Sequence, residues 1–491
     1  MEAILPHWVP DLSHAGQSAA TASPDLFERV LLDERRKLGQ YFTCANVVDL
    51  ILGFCLRDED DLLLDPSCGL GVFLERALRH KRVMDARLPR EEILATLWGV
   101  DVDESVVCAA AINLAGGDLG DTHVIHGDFF DQRPGADGCA LPQHFDCIVG
   151  NPPYTRQEWM VGLNGDDGYK RRLIERATTD RDGQRIARIS KRAGIQVYFF
   201  IHGTGFLRDG GRFGFVVSNS WLDVDYGKGL QEFLLENYKI VAIIESKVER
   251  WFADADINTC IVILEKCADQ QARDANVVRF VQLRRDLDDF VPNADEGSQE
   301  DVARLRQVDV LIRQIMTERV RCSDDRMQVH PIVQRELWEK GYDAEAGRYA
   351  GAKWGQYLRA PDIYFDILEG KKDKLVHLSE VADVRFGIKT GANAFFYLDE
   401  ETIAGWGIEP EYLKPVVKSP RECRAILVQP EDVTFRVLLV HRDKEQLAGT
   451  NVLKYIQFGE SQGYHRRRTC ASRARWYDLG QREPGSILWG M

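Results

Sequence analysis

The sequence predicts an α/β protein: a parallel sheet of seven strands, then a helical connector and a smaller α+β body. Three observations point there. Apolar strand-like runs alternate with helix-like segments as far as Lys266, the pattern of βαβ units in a sheet covered on both faces. The text from 267 to about 375 is charged and helical, as in "SQEDVARLRQVDVLIRQIMTE", and from His377 onward it becomes β-rich and aromatic with glycine turns. A chain of 491 residues also exceeds what one core usually organises.

Residues 1–24 mix Pro, His, Ser and Ala without periodicity and read as a flexible arm. Next, "DLFERVLLDERRKLGQYFTCANVVDLILGFCL" has helical apolar spacing broken at "GQYFT". Strand and helix then alternate through "LLLDPSCGLGVFLERALRH", "ATLWGVDVDESVVCAAAINL", "HVIHGDFF" and "FDCIVGNPPY". After a basic insertion at 156–192 the pattern resumes with helix "GIQVYFFIHGTGFL", strand "GRFGFVVSNSWL", helix "GKGLQEFLLEN", and strands "KIVAIIES" and "TCIVILEK". The first domain is therefore expected over 25–266, the connector over 267–375 and the second body over 376–491. The closing "GSILWGM" has no turn or polar tail, which leaves the second body open to completion by another chain.

No apolar run approaches the length of a membrane span, and nothing at the start reads as a secretory leader. No CxxC pair occurs, and Cys55, Cys108, Cys147 and Cys260 fall in apolar text, so the cysteines read as reduced core residues and no metal is expected. The compartment implied is the cytoplasm. The formal charge of -14 speaks against a nucleic-acid partner unless charge is segregated. Two stretches are segregated: residues 156–192, and "YHRRRTCASRARW" at 464–476 with its arginines among aromatics. Each is a candidate phosphate-facing surface, or a solvated helix and an ordinary loop.

In "LLLDPSCGLGVFLERAL" a strand runs into Asp65, a turn with Gly69 and Gly71, and a helix. Such a turn lets a ligand lie against backbone at the carboxyl end of a strand, but its spacing does not suit a phosphate grip. The next strand ends in Asp101, placed to accept ribose hydroxyl hydrogens. The one after ends in Asp128 and Phe129, suited to an adenine amino group and an adenine face. Any of these acids alone could be a helix N-cap. Their succession, with "NPPY" closing a fourth strand, points to a nucleoside-bearing cofactor without phosphates.

These residues resemble the class I S-adenosylmethionine-dependent methyltransferases, specifically the gamma-class DNA adenine-N6 methyltransferases of restriction-modification or anti-phage systems. The resemblance implies a Rossmann-like methyltransferase sheet followed by a DNA target-recognition domain. "GQYFT" is similar to the amino-terminal cofactor motif, so Tyr41 and Thr43 would border S-adenosylmethionine, Thr43 at the methionine carboxylate. "DPSCGLG" is similar to the Gly-rich motif, with Asp65 at the methionine amino group; Asp101 would hold the ribose, and Asp128 and Phe129 the adenine. Cys44 stands where the family often has proline.

The resemblance gives "NPPY" its chemistry. The exocyclic amine of adenine is a poor nucleophile because its lone pair is delocalised into the ring. If Asn151 and the Pro152 carbonyl each accept one amine hydrogen, the nitrogen can pyramidalise toward the methyl donor, while the prolines hold both acceptors still. Tyr154 would stack on a base flipped out of double-stranded DNA, with Phe252 (or Trp251 beside it) on its other face. "IKTGANAFFYL" resembles the start of the recognition domain, where Lys389, Thr390 and Asn393 would meet phosphate or base edges; a glycine turn over core phenylalanines would look the same. Two rivals remain at this level. "NPPY" also serves methylation of release-factor glutamine and of ribosomal RNA guanine, and a methyltransferase-shaped DNA-recognition subunit of a larger complex would keep the fold. A second chain, either a recognition subunit or a restriction endonuclease, is a candidate partner.

Overall fold

A computed structural model describes residues 43–116, 121–154, 167–180, 183–251, 257–291, 298–370, 374–376, 378–423, 426–481 and 483–488. Tyr41 and Phe252 lie outside the described residues, as does all of the text before Thr43. The chain divides into two compact units, Met1–Gly370 and Lys371–Met491.

The first unit is organised by one sheet. Its strands are β1 (Leu63–Asp65), β2 (Leu97–Asp101), β3 (His123–His126), β4 (Phe145–Gly150), β5 (Leu207–Ser218), β6 (Tyr238–Ser246), β7 (Thr259–Lys266), β8 (Val277–Leu283), β9 (Cys322–Ser323) and β10 (Met327–Val333). They lie in the order β3-β2-β1-β4-β5-β7-β6-β8-β10-β9. Strands β3, β2, β1, β4 and β5 are mutually parallel, and β7 runs antiparallel to both β5 and β6. The direction of winding reverses between β1 and β4, so a crevice opens beyond their carboxyl ends, where open α/β sheets bind ligands.

Both faces of the sheet are covered, as the uninterrupted apolar strands require. In β5, Phe213, Phe215 and Val217 face one core with Phe200, Tyr198 and Trp221, while Val216 faces the other with Val47, Leu50 and Ile51. The helices that matter for the site are α1 (Ala45–Cys55), α2 (Val72–Met84), α3 (Glu104–Ala115), α4 (Asp167–Thr178), α5 (Ile195–Thr204) and α6 (Ser298–Thr317). Helix α1 sits close on the sheet because β5 carries Gly214, where a Cβ would lie 2.6 Å from both Cys55 and Ile51 side chains.

The seven strands expected before Lys266 are present, but the sheet is not wholly parallel as expected, since β7 runs antiparallel to its neighbours, and residues 267–375 do not form a purely helical connector. They add β8, β9 and β10 to the same sheet, around the long helix α6. The buried Arg279 in β8 masked that strand in the sequence; its guanidinium donates to the carbonyls of Val277 at 2.6 Å and Met316 at 3.1 Å, so the charge is accommodated inside. Of the four cysteines read as core, Cys55, Cys147 and Cys260 are buried, whereas Cys108 is exposed on α3. Among the described residues no helix is long and apolar enough to cross a membrane.

The second unit has its own core of Phe395, Phe396, Leu398, Tyr455, Ile456 and Trp476, among others. A small antiparallel sheet of three strands, Tyr397–Leu398, Phe435–Leu438 and Leu413–Val416 in that order, packs with helix Asn451–Ser461.

Candidate active site

Four consecutive carboxyl ends meet at the crevice, and each supplies a polar group. Strand β1 ends in Asp65, 1% exposed, with Oδ1 accepting from the Ser67 amide at 3.1 Å. Burial pushes the Asp65 carboxyl up to about 8, and the neighbouring Asp101 charge adds to the shift. The close approach of β4 deepens that burial: a Cβ on Gly150 would stand 2.7 Å from Asp65 Oδ1, so only glycine fits beside the carboxyl. Among the described residues, the groups that act most strongly on Asp65 are the Ser67 amide and the Asp101 carboxylate, and neither is basic.

Beyond Asp65 the chain turns through Gly69 and Gly71, at φ 52° and 84°, in the left-handed region that glycine adopts freely. Nothing stands within 4 Å of where a Gly69 Cβ would be, so the turn borders open space. Asp101, at the end of β2, holds this turn in place: its Oδ2 accepts from the Gly69 amide at 3.0 Å and its Oδ1 from the Asp103 amide at 3.1 Å. Burial raises its pKa against those amides. The Val102 amide acts on the same carboxylate, which is thus anchored by backbone on both sides of the turn.

After β3, Asp128 caps a short 3₁₀ turn, Phe129–Asp131, by accepting from the Phe130 amide at 2.9 Å. Its other oxygen accepts from the Tyr169 hydroxyl at 3.1 Å. Phe129 departs from the expectation that its ring faces an adenine. The turn aims it into the core, where it is 2% exposed and stacked on Phe199 at 5.7 Å. His202 on α5 fixes that turn from below, its Nε2 within 3.1 Å of the Phe129 carbonyl and 2.9 Å of the Gln132 carbonyl. Burial depresses the His202 pKa to about 4, so the ring is neutral and donates one hydrogen there.

Strand β4 delivers Asn151-Pro152-Pro153-Tyr154 beside Asp65. The Asn151 amide nitrogen donates to Thr43 Oγ1 at 3.1 Å, which joins the motif before α1 to the motif after β4. Asn151 Oδ1 accepts from the Tyr154 hydroxyl at 2.6 Å, and the same hydroxyl lies 3.2 Å from the Val216 carbonyl. The Tyr154 ring is 9% exposed and sits in the α1 face of the core, so in this state it is folded inward.

The base of α1 is anchored for this purpose. Asp49, fully buried, pairs with Arg76 of α2 at 2.5 Å, with His80 at 3.1 Å and with Arg304 of α6. Burial alone would raise its pKa, but hydrogen bonds from His80 and Arg76 hold it far below the usual carboxylate range. Arg304 also reaches Asn46, so residues of the 267–375 segment hold the helix that begins directly after Thr43.

Thr43, Asp65, Gly69, Gly71, Asp101, Asp128, Asn151, Pro152 and Tyr154 are thus collected by the topology of one unit. Tyr169, His202 and the Val216 carbonyl were missed from sequence. Lys389, Thr390 and Asn393 belong to the second unit. There Lys389 and Asn393 are exposed, but Thr390 is 2% exposed and closes the turn, accepting from the Ala392 amide at 3.2 Å and bonding Asn393; it has no free face for DNA. In the 464–476 stretch Arg466, Arg467 and Arg468 are exposed, whereas Arg473 donates to the carbonyls of Lys389 at 2.6 Å and Thr390 at 2.9 Å. In the basic insertion Arg176 is already engaged within the chain, in a half-exposed pair with Asp131. Among the described residues no three His, Cys, Asp or Glu side chains gather as a metal site would need.

The family described as N-6 DNA Methylase matches residues 26–355, and that described as Type II methyltransferase M.Eco57I, C-terminal domain, matches residues 352–489. The chain is 21% identical over 475 residues to the Type II methyltransferase M.AccI of Acinetobacter calcoaceticus, covering 94% of this chain and 73% of that protein. It is 25% identical over 415 residues to M.BstVI of Geobacillus stearothermophilus, covering 78% of this chain and 63% of that one. Among solved structures, the type IIG restriction endonuclease BpuSI shares the fold at a TM-score of 0.51 and 15% identity, over 94% of this chain and 49% of its own. The chain therefore spans only part of the length of these relatives.

Proposed function

The chain belongs to the N-6 DNA methylase family, and from that premise we propose that it transfers the methyl group of S-adenosylmethionine to the exocyclic amine of an adenine swung out of double-stranded DNA. The observation that supports this reading is the placement of Asn151 directly after Gly150, which lies against Asp65, with the Asn151 amide nitrogen held by Thr43 and its oxygen turned to the motif's own tyrosine.

The residues fit the cofactor. A buried carboxyl raised to about 8 lacks a counter-charge that the methionine amino group would supply. Open space over Gly69 leaves room beside the turn, Asp101 keeps acceptor capacity for the ribose hydroxyls, and Asp128 for the adenine amine. When bound, S-adenosylmethionine supplies an electrophilic methyl group.

Asn151 Oδ1 and the Pro152 carbonyl take the two hydrogens of the target amine and localise its lone pair. The two prolines keep these acceptors from reorganising, which is where preorganised electrostatics is most effective. Tyr154 leaves the Asn151 oxygen when the base arrives, and its ring becomes a stacking face. Lys389, Asn393 and the exposed arginines near 466 contact DNA from residues 376–491, read as the recognition domain. The setting is a restriction-modification or phage-defence system in the cytoplasm of a prokaryote, with a second chain, nuclease or recognition subunit, as partner.

The test is direct. The purified chain is incubated with methyl-tritiated S-adenosylmethionine and mixed double-stranded genomic DNA, and modified bases are mapped. Label on adenine N6 within one short sequence context is expected. Label on protein or RNA with none on DNA overturns the reading.

A further inference from the structure

Beside the end of β3 stands a side chain that the reaction as derived so far does not use. Tyr169 lies on α4, inside the stretch whose charge suggested a phosphate-facing surface, yet its hydroxyl donates to Asp128 Oδ2 at 3.1 Å. The opposite carboxylate oxygen is taken by the Phe130 amide at 2.9 Å. One donor on each oxygen fixes the plane of the carboxylate, which a side chain with two rotatable bonds would otherwise sample. Beside it opens a cavity of about 190 Å³ lined by Asp128, Phe130, Tyr169, Arg172 and Arg176, among others.

Tyr169 is held firmly enough to act as a reference. Leu173 and Ala177, one and two helical turns on, are 2% and 1% exposed, so the three residues form the inward stripe of α4. Arg176 on the same helix pairs with Asp131, which ties α4 to the turn that Asp128 caps. Burial, followed by the Asp128 charge, raises the Tyr169 pKa above that of an ordinary tyrosine, so the hydroxyl remains a donor at any working pH.

We propose that Tyr169 is a positioning residue for the adenine end of the cofactor, holding the Asp128 carboxylate in the orientation that selects an exocyclic amine over a carbonyl oxygen at that position of the purine. The inference rests on the methyl-transfer reading above. A carboxylate fixed by two donors beside the cavity accepts a hydrogen from an amine and repels a 6-oxo group; a carboxylate free to rotate does both less well.

Calorimetry with the full chain compares two probes, S-adenosylhomocysteine and S-inosylhomocysteine, which differ at position 6, amine against carbonyl, and in the proton that the 6-oxo form carries on N1. Wild type is expected to prefer the adenosyl form by tenfold or more, on the order of one good hydrogen bond plus the avoided repulsion. Tyr169→Phe, which keeps the ring and the cavity wall, should lower that ratio by about fivefold with an unchanged melting curve. Leu173→Ala serves as the packing control and should weaken both probes equally. A Tyr169→Phe ratio equal to wild type overturns the positioning role and leaves the cofactor reading standing. Wild type binding neither probe removes the cofactor reading itself, and wild type binding both alike removes Asp128 as the selector and Tyr169 with it.

Discussion

The hydroxyl of Tyr154 donates to Asn151 Oδ1 at 2.6 Å, so the oxygen assigned to the incoming adenine amine is already hydrogen-bonded within its own motif. Asn151 Nδ2 in turn donates to Thr43 at 3.1 Å. The row Thr43, Asn151, Tyr154 sets which end of the amide faces where: with the nitrogen directed to Thr43, the oxygen is the end presented to a donor. On the proposed function, an incoming base would exchange one donor for another at this oxygen and meet no bare, desolvated acceptor.

Asn151→Ala should reduce turnover by a factor of at least about 10², as the loss of a preorganised acceptor does elsewhere. Cofactor affinity should change far less than turnover, because Asn151 touches the groups assigned to the cofactor only through Thr43. Single-turnover methylation and calorimetry together check this. Methylation at the wild-type rate would show that the rigid turn after β4 serves only to end the strand.

Tyr154 separates stacking from hydrogen bonding. Tyr154→Phe keeps the ring and releases Asn151 Oδ1, so base capture should persist and the rate should remain within about tenfold of wild type. Tyr154→Ala removes a stacking face worth roughly 1 to 3 kcal/mol and should weaken capture accordingly. With 2-aminopurine at the target position, the fluorescence rise on extrusion reports capture. A Tyr154→Ala variant with wild-type capture would mean that the ring stays in the core throughout the reaction.

DNA binding should be salt-dependent despite the formal charge of -14. Arg466, Arg467 and Arg468 are exposed, with Arg467 packed over the Tyr464 ring at 4.6 Å. Each phosphate contact removed should lower the slope of log K against log salt by about 0.9. Arg473→Ala should behave differently. It deprives two carbonyls of their donor, so it should lower the melting temperature of the second unit and leave the slope near wild type. An unchanged slope in the triple alanine variant would place that surface against solvent or protein.

How much of this was legible depended on whether the signal was periodic. The acids Asp65, Asp101 and Asp128 could be placed because each follows a short apolar run, and strand order then brings their ends together. Phe129 was placed by type alone, and the 3₁₀ turn sends its ring inward. Tyr169 was hidden by its charged surroundings, although its spacing of four from Leu173 and of eight from Ala177 was a helical stripe in plain view. Strands β8 and β10 were obscured by Arg279 and His330, buried polar residues that interrupt an apolar run. In the fold two guanidinium nitrogens of Arg279 donate to the carbonyls of Val277 and Met316, and His330 packs on Phe365 at 4.4 Å. The contacts with Met316 and Phe365 are long-range, and no short window of sequence contains them.

Asp65 ties stability to function through its ionisation. Its folded pKa is raised to about 8, above the ordinary carboxylate value, so the folded state holds a proton that the unfolded chain has released. Stability therefore falls as pH rises from the unfolded pKa toward the folded one, and the full penalty is present at and above pH of about 8. Asp65→Asn removes the titration. The variant should melt higher than wild type by the equivalent of on the order of 1 to 4 kcal/mol at alkaline pH, with the gap closing steadily as pH is lowered toward about 5. The same substitution removes the partner for the methionine amino group, so cofactor affinity should collapse while the fold gains. In wild type, binding at pH near 7 should release a proton, because the arriving ammonium lowers the Asp65 pKa; calorimetry in buffers of different ionisation enthalpy measures that release. A gap in melting temperature that is independent of pH, together with binding that releases no proton, would show that Asp65 is ionised before the cofactor arrives and that another group balances its charge.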